Sequence, residues 1–441
     1  MRTAPTRESS SVAERTRRRI NRRLLPFLFL LYIIAFLDRI NVSFAGLDMT
    51  RELGFSDRVF GLGSGIFFAG YVLLEIPGTL FVELWSARKW IARIMISWGL
   101  VGSLTGLIHT AHQFYWARFI LGVAEAGFFP GVVVYLTHWY REQDRARAMA
   151  VFMSAIPIAQ VVGAPISGAF LHIHWFGYSG WRWLLILEGV PAVIAGFAAL
   201  FYLTDRPRNA RWLSGEERDW ITGELEREAR AKQGPRASAW RAFLHVFQDR
   251  DVFLLTAVYF LGACAQYGTS FWLPKIIQNL SGFSSFQVAL IAALPFLAAW
   301  PAMLLLSWSS DRTGERRWHT AAAFLALAVG LAGSVWAGGH IAAGVLMLSL
   351  AGIGMTARLP TFWALPASLL GGATAAASIG AINCIGNLGG FAGPYLLGAL
   401  STATGSYTTG IWYLVGASVL GAVLILLVRT KPARFSDKTA P

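Results

Sequence analysis

Long apolar segments recur along this chain of 441 residues, and they constrain its fold more than any other feature. A helix needs roughly twenty predominantly apolar residues to cross a bilayer. Twelve such segments follow one another, and a long polar segment divides them into two groups of six. They lie near 24–45, 58–82, 91–110, 113–137, 147–171, 182–204, 252–273, 286–308, 319–338, 341–365, 372–400 and 407–429. The pattern predicts an all-α membrane protein with twelve transmembrane helices.

The charges agree with this prediction, because only 14% of the residues are charged, whereas about a quarter is usual in soluble domains. The net charge of +14 arises from basic clusters that recur at every second gap between apolar segments, except for the uncharged gap near 366–372. The intervening gaps contain only Arg51, Arg58 and Lys275. This alternation follows the positive-inside rule and places both termini and the central polar segment in the cytoplasm. It also explains the basic excess without nucleic acid as a partner.

The predicted organisation has two six-helix bundles, 24–204 and 252–429. A basic cytoplasmic N-terminal tail covers 1–23, a cytoplasmic linker covers 205–251 with a helix around Glu216–Arg230, and a cytoplasmic C-terminal tail covers 430–441. The halves share features at one spacing: Arg316-Arg-Trp follows Arg88-Lys-Trp by 228 residues, and Pro394 follows Pro165 by 229. Coincidence in a chain rich in Gly and Ala is the alternative to a duplicated unit.

Several longer motifs are distributed over both halves. They are Phe36–Asn41, Ala117–Gly131, Gly180–Gly189, Trp272–Pro274, Ser310–Trp318, Phe362–Pro366 and Ile382–Gly390. Together they strongly resemble the anion:cation symporter family of the major facilitator superfamily, over nearly the whole chain after the N-terminal tail. The resemblance implies the superfamily fold, with two pseudo-symmetric halves, and is closest to bacterial permeases for tartrate, phthalate, hydroxyphenylacetate and nicotinate-type acids.

The loop signature of the superfamily is kept in the second half as Asp311-Arg312, whereas the first-half loop Trp85-Ser-Ala-Arg-Lys lacks the acidic residue. By analogy, Asp311, Arg312 and Arg88 are predicted to act in gating.

Among the charged residues within the apolar segments of the first half, four are the main candidates: Asp38, Arg39, Arg118 and Glu125. Charges inside a membrane are unfavourable by about 2.5–3.5 kcal/mol, which makes them functional candidates. A guanidinium forms a fixed fork for a carboxylate, so Arg39 is predicted to bind substrate; pairing with an acid on another helix is the alternative. Arg118 and Glu125 are seven residues apart and share a helix face. Glu125 is predicted to carry the proton, or else to form an interhelical hydrogen bond. The resemblance implies proton coupling for Asp38 and an anion contact for Arg118.

Further substrate contacts are predicted at polar and aromatic residues within the spans, with helix packing as the alternative for each. They are Tyr71, Gln266, Tyr267, Trp363, Asn383 and Asn387, with Trp272 and Gln160 as weaker candidates. Glu75 is a gate or a structural partner.

Four other features have structural explanations. Arg358 is predicted to extend to the cytoplasmic face by snorkelling, although contact with a carboxylate is the alternative. Glu188 is predicted to pair with Arg182 or a loop. The stretch Gly61–Gly65 opens a membrane helix, so it indicates close helix packing rather than a dinucleotide site, and His172 with His174 lack further metal ligands. No cofactor or metal is expected.

These observations predict a secondary active transporter that takes up a small organic anion, a hydroxy-carboxylate or aromatic carboxylate, together with protons by alternating access. A proton-antiporting exporter of a metabolite or drug is the alternative. An enzyme would need a nucleophile, metal cluster or catalytic carboxylate pair, and a sensor would need a signalling domain. The protein is expected to act as a monomer in the bacterial inner membrane, with the lipid bilayer, the anion and protons as its only partners.

Overall fold

The computed structural model describes residues 7–231, 249–369 and 373–429, and this part of the chain consists of α-helices, two short 3-10 turns and connecting loops. The helices of the first half are α1 (Arg7–Glu52), α2 (Asp57–Leu84), α3 (Ala87–Thr105), α4 (Ala111–Glu125), α5 (Phe128–Thr137), α6 (Glu142–Met153), α7 (Ala155–Phe170), α8 (Gly180–Tyr202) and α9 (Gly215–Ala231). Those of the second half are α10 (Arg250–Ser281), α11 (Ser285–Thr313), α12 (Arg317–Trp336), α13 (Ile341–Leu369), α14 (Ala373–Gly386), α15 (Gly389–Thr404) and α16 (Tyr407–Leu426).

The prediction of an all-helical membrane fold is confirmed. Among the described residues, ten helical segments are long and apolar enough to cross a membrane. The two other predicted spans, 91–110 and 372–400, correspond to α3 and to the pair α14 and α15. Helix α3 carries Arg88, Lys89 and Arg93 in its first two turns, which lowers its mean hydropathy, and α14 and α15 have only 14 and 16 residues.

Short polar motifs set the ends of several helices. The Thr110 hydroxyl accepts from the backbone N–H of Gln113 at the start of α4, and Ser284 does the same with Gln287 at the start of α11; both form capping boxes. Gly282 and Gly314 end α10 and α11 with φ of 66° and 69°, a conformation that glycine adopts without strain. These caps satisfy terminal backbone groups that would otherwise lack partners.

The chain divides into two compact units. The first contains the residues up to Phe55 and those from Ile66 to the end of α9; the second contains Ser56–Gly65 and the helices from α10 onward. The first turns of α2 therefore group with the second unit. The domain limits at 23, 204, 251 and 429 stay a prediction, and residues 1–6, 232–248 and 430–441 of the predicted tails and linker lie outside the described residues.

Helix α1 begins within the predicted N-terminal tail, and its polar part contacts the linker helix. Arg15 and Arg19 form ion pairs with Glu216 and Glu217 of α9, at 3.3 and 2.7 Å. The predicted helix in the linker is confirmed as α9. Basic residues before the first apolar segment therefore have acidic partners within the same unit.

In the second unit, an ion pair holds the first turn of α2. The Lys275 Nζ lies 3.2 Å from Asp57 Oδ1, and the hydroxyls of Ser401 and Tyr407 donate to the same carboxylate at 2.8 and 3.3 Å. Lys275 was predicted to lie in a gap between spans, and the structure shows that α10 continues to Ser281 and buries the lysine. The ion pair and the rings of Phe60 and Trp272 compensate for that burial.

Replacing Asp57 by Asn is expected to lower the free energy of unfolding by about 3 kcal/mol, because it leaves the buried Lys275 ammonium without its carboxylate. Unfolding of the detergent-solubilised protein by denaturant measures the change. Glu14→Gln is the control, since Glu14 forms an exposed pair with Arg18. The double variant Asp57→Asn, Lys275→Met is expected to recover most of the loss. Equal effects of Asp57→Asn and Glu14→Gln would show that the ion pair does not stabilise the fold.

Candidate functional site

Helices α1 and α4 bring four charged side chains together inside the first unit. Asp38, Arg118 and Glu125 are each 1% exposed, and the Arg39 side chain is 15% exposed. Asp38 and Glu125 both lie within electrostatic range of Arg118. The two carboxylates therefore balance the two guanidinium groups, which is the condition under which such charges are tolerated in an apolar interior.

The most direct contact in this cluster is an ion pair between Arg39 Nη2 and Glu125 Oε1. The Arg39 guanidinium also faces the rings of Phe36, Phe67 and Tyr71, with distances of 5.3, 5.7 and 5.4 Å to the ring centroids. The pairing of Arg39 with an acid on another helix is thus observed. This contact joins the predicted substrate-binding residue to the predicted proton carrier.

Asp38 lies within electrostatic range of this ion pair but makes its own contacts. Its Oδ1 accepts from Asn41 Nδ2 at 3.2 Å, and its Oδ2 has no hydrogen-bond partner among the described residues. The carboxylate occupies space that α3 provides through Gly102, where an added Cβ would lie 2.9 Å from Oδ1. Asp38 and Arg39 follow each other in the sequence and so project in different directions from α1.

Arg118 lies over the ring of Phe67 at 5.0 Å. Its Nε and Nη2 have no hydrogen-bond partner in the described part of the chain. Helices α2 and α4 approach closely here, because Gly70 faces the backbone of Phe119 and Gly122 faces that of Phe67. A buried guanidinium with unused donors can accept an anionic group without breaking existing hydrogen bonds.

The fourth predicted span is interrupted directly after Glu125. Helix α4 ends at this residue, Gly127 has φ of 84°, and α5 begins at Phe128. A residue with a Cβ would be strained at this φ, so glycine permits the break. Interrupted helices are typical of transporter binding sites, because they leave backbone groups unpaired by the helix. The predicted span 113–137 contains this break, which its apolar sequence does not indicate.

Two further predicted residues lie on α2. Tyr71 is buried, stacks on Phe67 at 6.0 Å and lies beside Arg39, while Glu75 is buried one turn further along and interacts with Tyr71. The structure therefore brings Tyr71 to the charged cluster.

The predicted pairing of Glu188 with Arg182 was wrong. Ser167 donates to Glu188 Oε1 at 2.8 Å, whereas Arg182 pairs with Glu52 at 3.2 Å and donates to the carbonyls of Gly106 and Ile108. Residues six apart project from different sides of a helix, which separates the two side chains. Glu188 instead lies in the first unit within electrostatic range of Asp38.

The predicted residues of the second unit occupy α10, α13 and the region between α14 and α15. Gln266, Tyr267 and Trp363 are half-buried, Asn383 is half-buried on α14, and Asn387 lies just beyond the end of that helix. The backbone N–H of Asn387 donates to the Asn383 carbonyl at 3.0 Å. Trp272 is fully buried and donates to the Pro394 carbonyl at 3.2 Å, so packing explains it.

The prediction that Arg358 snorkels was wrong. Its side chain is fully buried, and its Nη2 donates to Gln266 Oε1 at 2.7 Å. The reason is Gly262 on α10: an added Cβ there would lie 2.6 Å from the Arg358 Cζ, so the guanidinium fills the space that a larger side chain would take.

The predicted gating residues lie in two loop regions. Asp311 pairs with Arg316 at 2.5 Å, and Arg312 lies over the ring of Trp308 at 5.4 Å. In the first unit, Asp205 accepts from the backbone N–H of Arg88 at 2.9 Å and from the Ser86 hydroxyl at 2.8 Å. Asp205 thus supplies the acid that the first-half loop lacks. Local sequence could not reveal this, because Asp205 follows α8, 117 residues further along.

Close helix packing of Gly61 and Gly65 is confirmed. Added Cβ atoms would lie 2.5 and 2.6 Å from the carbonyl oxygens of Pro394 and Phe391. His172 contacts the Gly168 carbonyl at 3.2 Å, and the described residues contain no group of three side chains suited to a metal ion.

Comparison with known proteins assigns the family. A profile of the Major Facilitator Superfamily matches residues 28–394. The chain belongs to this superfamily. It is 43% identical over 434 residues to a protein of Agrobacterium vitis with the provisional name of tartrate transporter, covering 98% of this chain and 99% of that protein. It is 35% identical to the quinolone resistance transporter of Acinetobacter baumannii, covering 96% of both chains.

Among solved structures, the fold is similar to that of a bacterial homologue of the human lysosomal transporter Spinster. The TM-score is 0.76 at 17% identity, over 93% of this chain and 98% of the other. The family match, the relatives and the apolar helices together make the chain a multi-pass membrane transporter, which is a non-enzymatic class.

Proposed function

We propose that the protein takes up a small organic anion, a hydroxy-carboxylate or aromatic carboxylate, together with protons, by alternating access. The observation that carries the proposal is the buried ion pair between Arg39 and Glu125. The name of the Agrobacterium vitis relative supports an organic acid as the substrate class. The protein is proposed to act as a monomer in the inner membrane, with both termini in the cytoplasm.

The ion pair couples the two ligands because a substrate carboxylate and the Glu125 carboxylate compete for the same guanidinium. While Glu125 is ionised, it occupies Arg39. When Glu125 takes up a proton, its attraction for Arg39 falls, and the donors of Arg39 become available for the substrate. The protonated carrier therefore binds the anion more tightly than the deprotonated carrier does. By linkage, a bound anion also favours protonation.

Coupling to protons makes uptake possible against the membrane potential. An anion that enters a negative-inside cell meets an opposing energy of about 2.3 kcal/mol per charge at 100 mV. One proton carried with a monocarboxylate cancels this electrical energy, so the pH gradient alone drives accumulation. Asp38, buried beside the ion pair, is proposed as a second proton-binding group.

The remaining residues have proposed supporting roles. Arg118 and Tyr71 would contact the substrate in the first unit, and Gln266, Tyr267, Trp363, Asn383 and Asn387 would contact it in the second. Asp311, Arg312 and Arg88 would act in gating, with Asp205 as the acidic partner of Arg88.

Proteoliposomes with an imposed pH gradient test the proposal. When the exterior is more acidic by one pH unit, the vesicles are expected to accumulate a monocarboxylate that is carried with one proton about tenfold. One pH unit corresponds to about 1.4 kcal/mol per proton. Uptake that does not respond to the gradient would contradict proton coupling.

The second candidate function is export by proton antiport, which the similarity to the quinolone resistance transporter favours. The same vesicles distinguish the two. An antiporter would accumulate its substrate when the interior is the more acidic side, whereas a symporter would not.

A further inference from the structure

Arg358 differs from the other buried cations of the described chain because no carboxylate among the described residues accompanies it. Arg39 pairs with Glu125, Arg182 with Glu52 and Lys275 with Asp57, and Arg118 lies within electrostatic range of Asp38 and Glu125. Arg358 is fully buried, yet no acidic side chain among the described residues forms a salt bridge with it. Removal of one partner from a buried pair is strongly destabilising, so a buried cation that evolved without one requires explanation.

The surroundings of this guanidinium are polarisable but uncharged. It lies 5.3 Å from the ring centroid of Phe324, and Tyr259 and Tyr267 lie within electrostatic range. Its Nη2 donates to Gln266 Oε1 at 2.7 Å, while its Nε and Nη1 have no hydrogen-bond partner in the described structure. An anionic group can therefore approach this guanidinium without displacing an existing ion pair.

In the first unit, by contrast, carboxylates of the protein accompany the buried guanidinium groups. There, Asp38 and Glu125 already match Arg39 and Arg118, and Glu188 adds a further carboxyl group within range of Asp38. An anion bound near Arg39 therefore competes with carboxylates of the protein. Among the described residues of the second unit, no carboxylate opposes the positive charge of Arg358, so an anion there meets no such competitor.

The contact with Arg358 also determines how Gln266 can be used. A glutamine amide can present either its oxygen or its NH2 group to a ligand. Because Arg358 occupies the Gln266 oxygen, the Nε2 with its two N–H donors is the part that remains for another group. The adjacent positive charge polarises the amide and strengthens these donors. Gln266 is half-buried, so it is more accessible than Arg358 itself.

We propose that Arg358 and Gln266 form an anion-recognition pair that makes the protein prefer a dicarboxylate to a monocarboxylate of the same size. Arg358 is a positioning residue: it supplies the unopposed charge and orients Gln266, whose amide NH2 donates to a carboxylate oxygen. This inference rests on the proposed function, because it presupposes an organic-anion substrate.

Binding of two matched probes tests the pair. Tartrate carries two carboxylates, and in tartaric acid monoamide one of them is a neutral amide of nearly equal size. Wild-type protein in detergent is expected to bind tartrate at least tenfold more tightly than the monoamide. Arg358→Gln is expected to reduce this preference to less than threefold by weakening tartrate binding alone, and Arg358→Lys to retain part of it. A purely structural role would weaken the binding of both probes equally.

Gln266→Glu provides a second test that does not depend on removing the buried charge. It gives Arg358 a carboxylate partner, so the melting temperature is expected to stay the same or rise, while the preference for tartrate is lost. Gln287→Glu is the charge-matched control, because Gln287 is exposed and glutamate preserves its capping box with Ser284. It should leave the preference at the wild-type value.

Three results would overturn the inference: equal binding of both probes by wild-type protein, no binding of either, or an Arg358→Gln variant that keeps a tenfold preference. The proposed function fails separately. Selective tartrate binding by wild type without accumulation in a pH gradient would refute proton symport and leave the recognition pair intact.

Discussion

Glu125→Gln is expected to abolish proton-driven accumulation while the protein still binds and exchanges its substrate. Glutamine cannot take up a proton, and as a neutral side chain it no longer competes with substrate for Arg39. Under a gradient of one pH unit, the accumulation ratio should fall from about tenfold to about one. Exchange of labelled for unlabelled substrate across the vesicle membrane should persist, because exchange needs no net proton movement. Substrate affinity should lose its dependence on pH.

The control is Glu216→Gln, which removes the carboxylate that α9 contributes to an exposed ion pair with Arg15 of α1. This variant is expected to accumulate substrate as the wild type does. If Glu125→Gln vesicles still concentrate substrate in response to the gradient, Glu125 is not the proton carrier, and Asp38 becomes the first candidate. The corresponding Asp38→Asn variant then identifies the coupling group.

Arg39→Lys is expected to reduce substrate affinity by a factor of ten or more without unfolding the protein. Lysine keeps the positive charge next to Glu125, so neither charge is left unpaired in the interior. It cannot form the planar two-donor fork that binds a carboxylate through both oxygens. Charge-assisted hydrogen bonds contribute about 1.5–3 kcal/mol each, which corresponds to a loss of ten- to more than a hundredfold. Binding of labelled substrate in detergent measures the loss directly.

A matched control separates this effect from a general loss of structure. Arg182 is also buried in the first unit, and its contacts are to Glu52 and to backbone carbonyls. Arg182→Lys is expected to lower the melting temperature while substrate affinity in the folded fraction stays unchanged. Equal substrate affinities for Arg39→Lys and wild type would mean that Arg39 serves only to pair with Glu125.

Features that depend on a single helix could be predicted from the sequence. The placement of Arg118 and Glu125 on the same helix followed from their spacing of seven residues, and α4 contains both. The linker helix α9 and the close packing of Gly61 and Gly65 followed from local composition. The break after Glu125 was missed, because Gly127 stands in an apolar run that looks continuous by hydropathy.

Long-range contacts were accessible to sequence reasoning only as alternatives. Arg39 had two open interpretations, and the structure shows its partner, Glu125, 86 residues further along. The pairing of Glu188 with Arg182 and the snorkelling of Arg358 were wrong for one reason. Each was inferred from the helix that carries the residue, whereas the result depends on neighbours such as Ser167 and Gly262.

The sequence by itself determined the helical membrane fold and identified Asp38, Arg39, Arg118 and Glu125 as charges within it, because these follow from hydropathy and charge along the chain. The tertiary structure decided which charges meet. It paired Arg39 with Glu125, gave Arg88 the carboxylate of Asp205 and left Arg358 with Gln266 as its hydrogen-bond acceptor. The physical reason is that helical periodicity sets the direction of a side chain, but the helix it then meets depends on how distant segments pack.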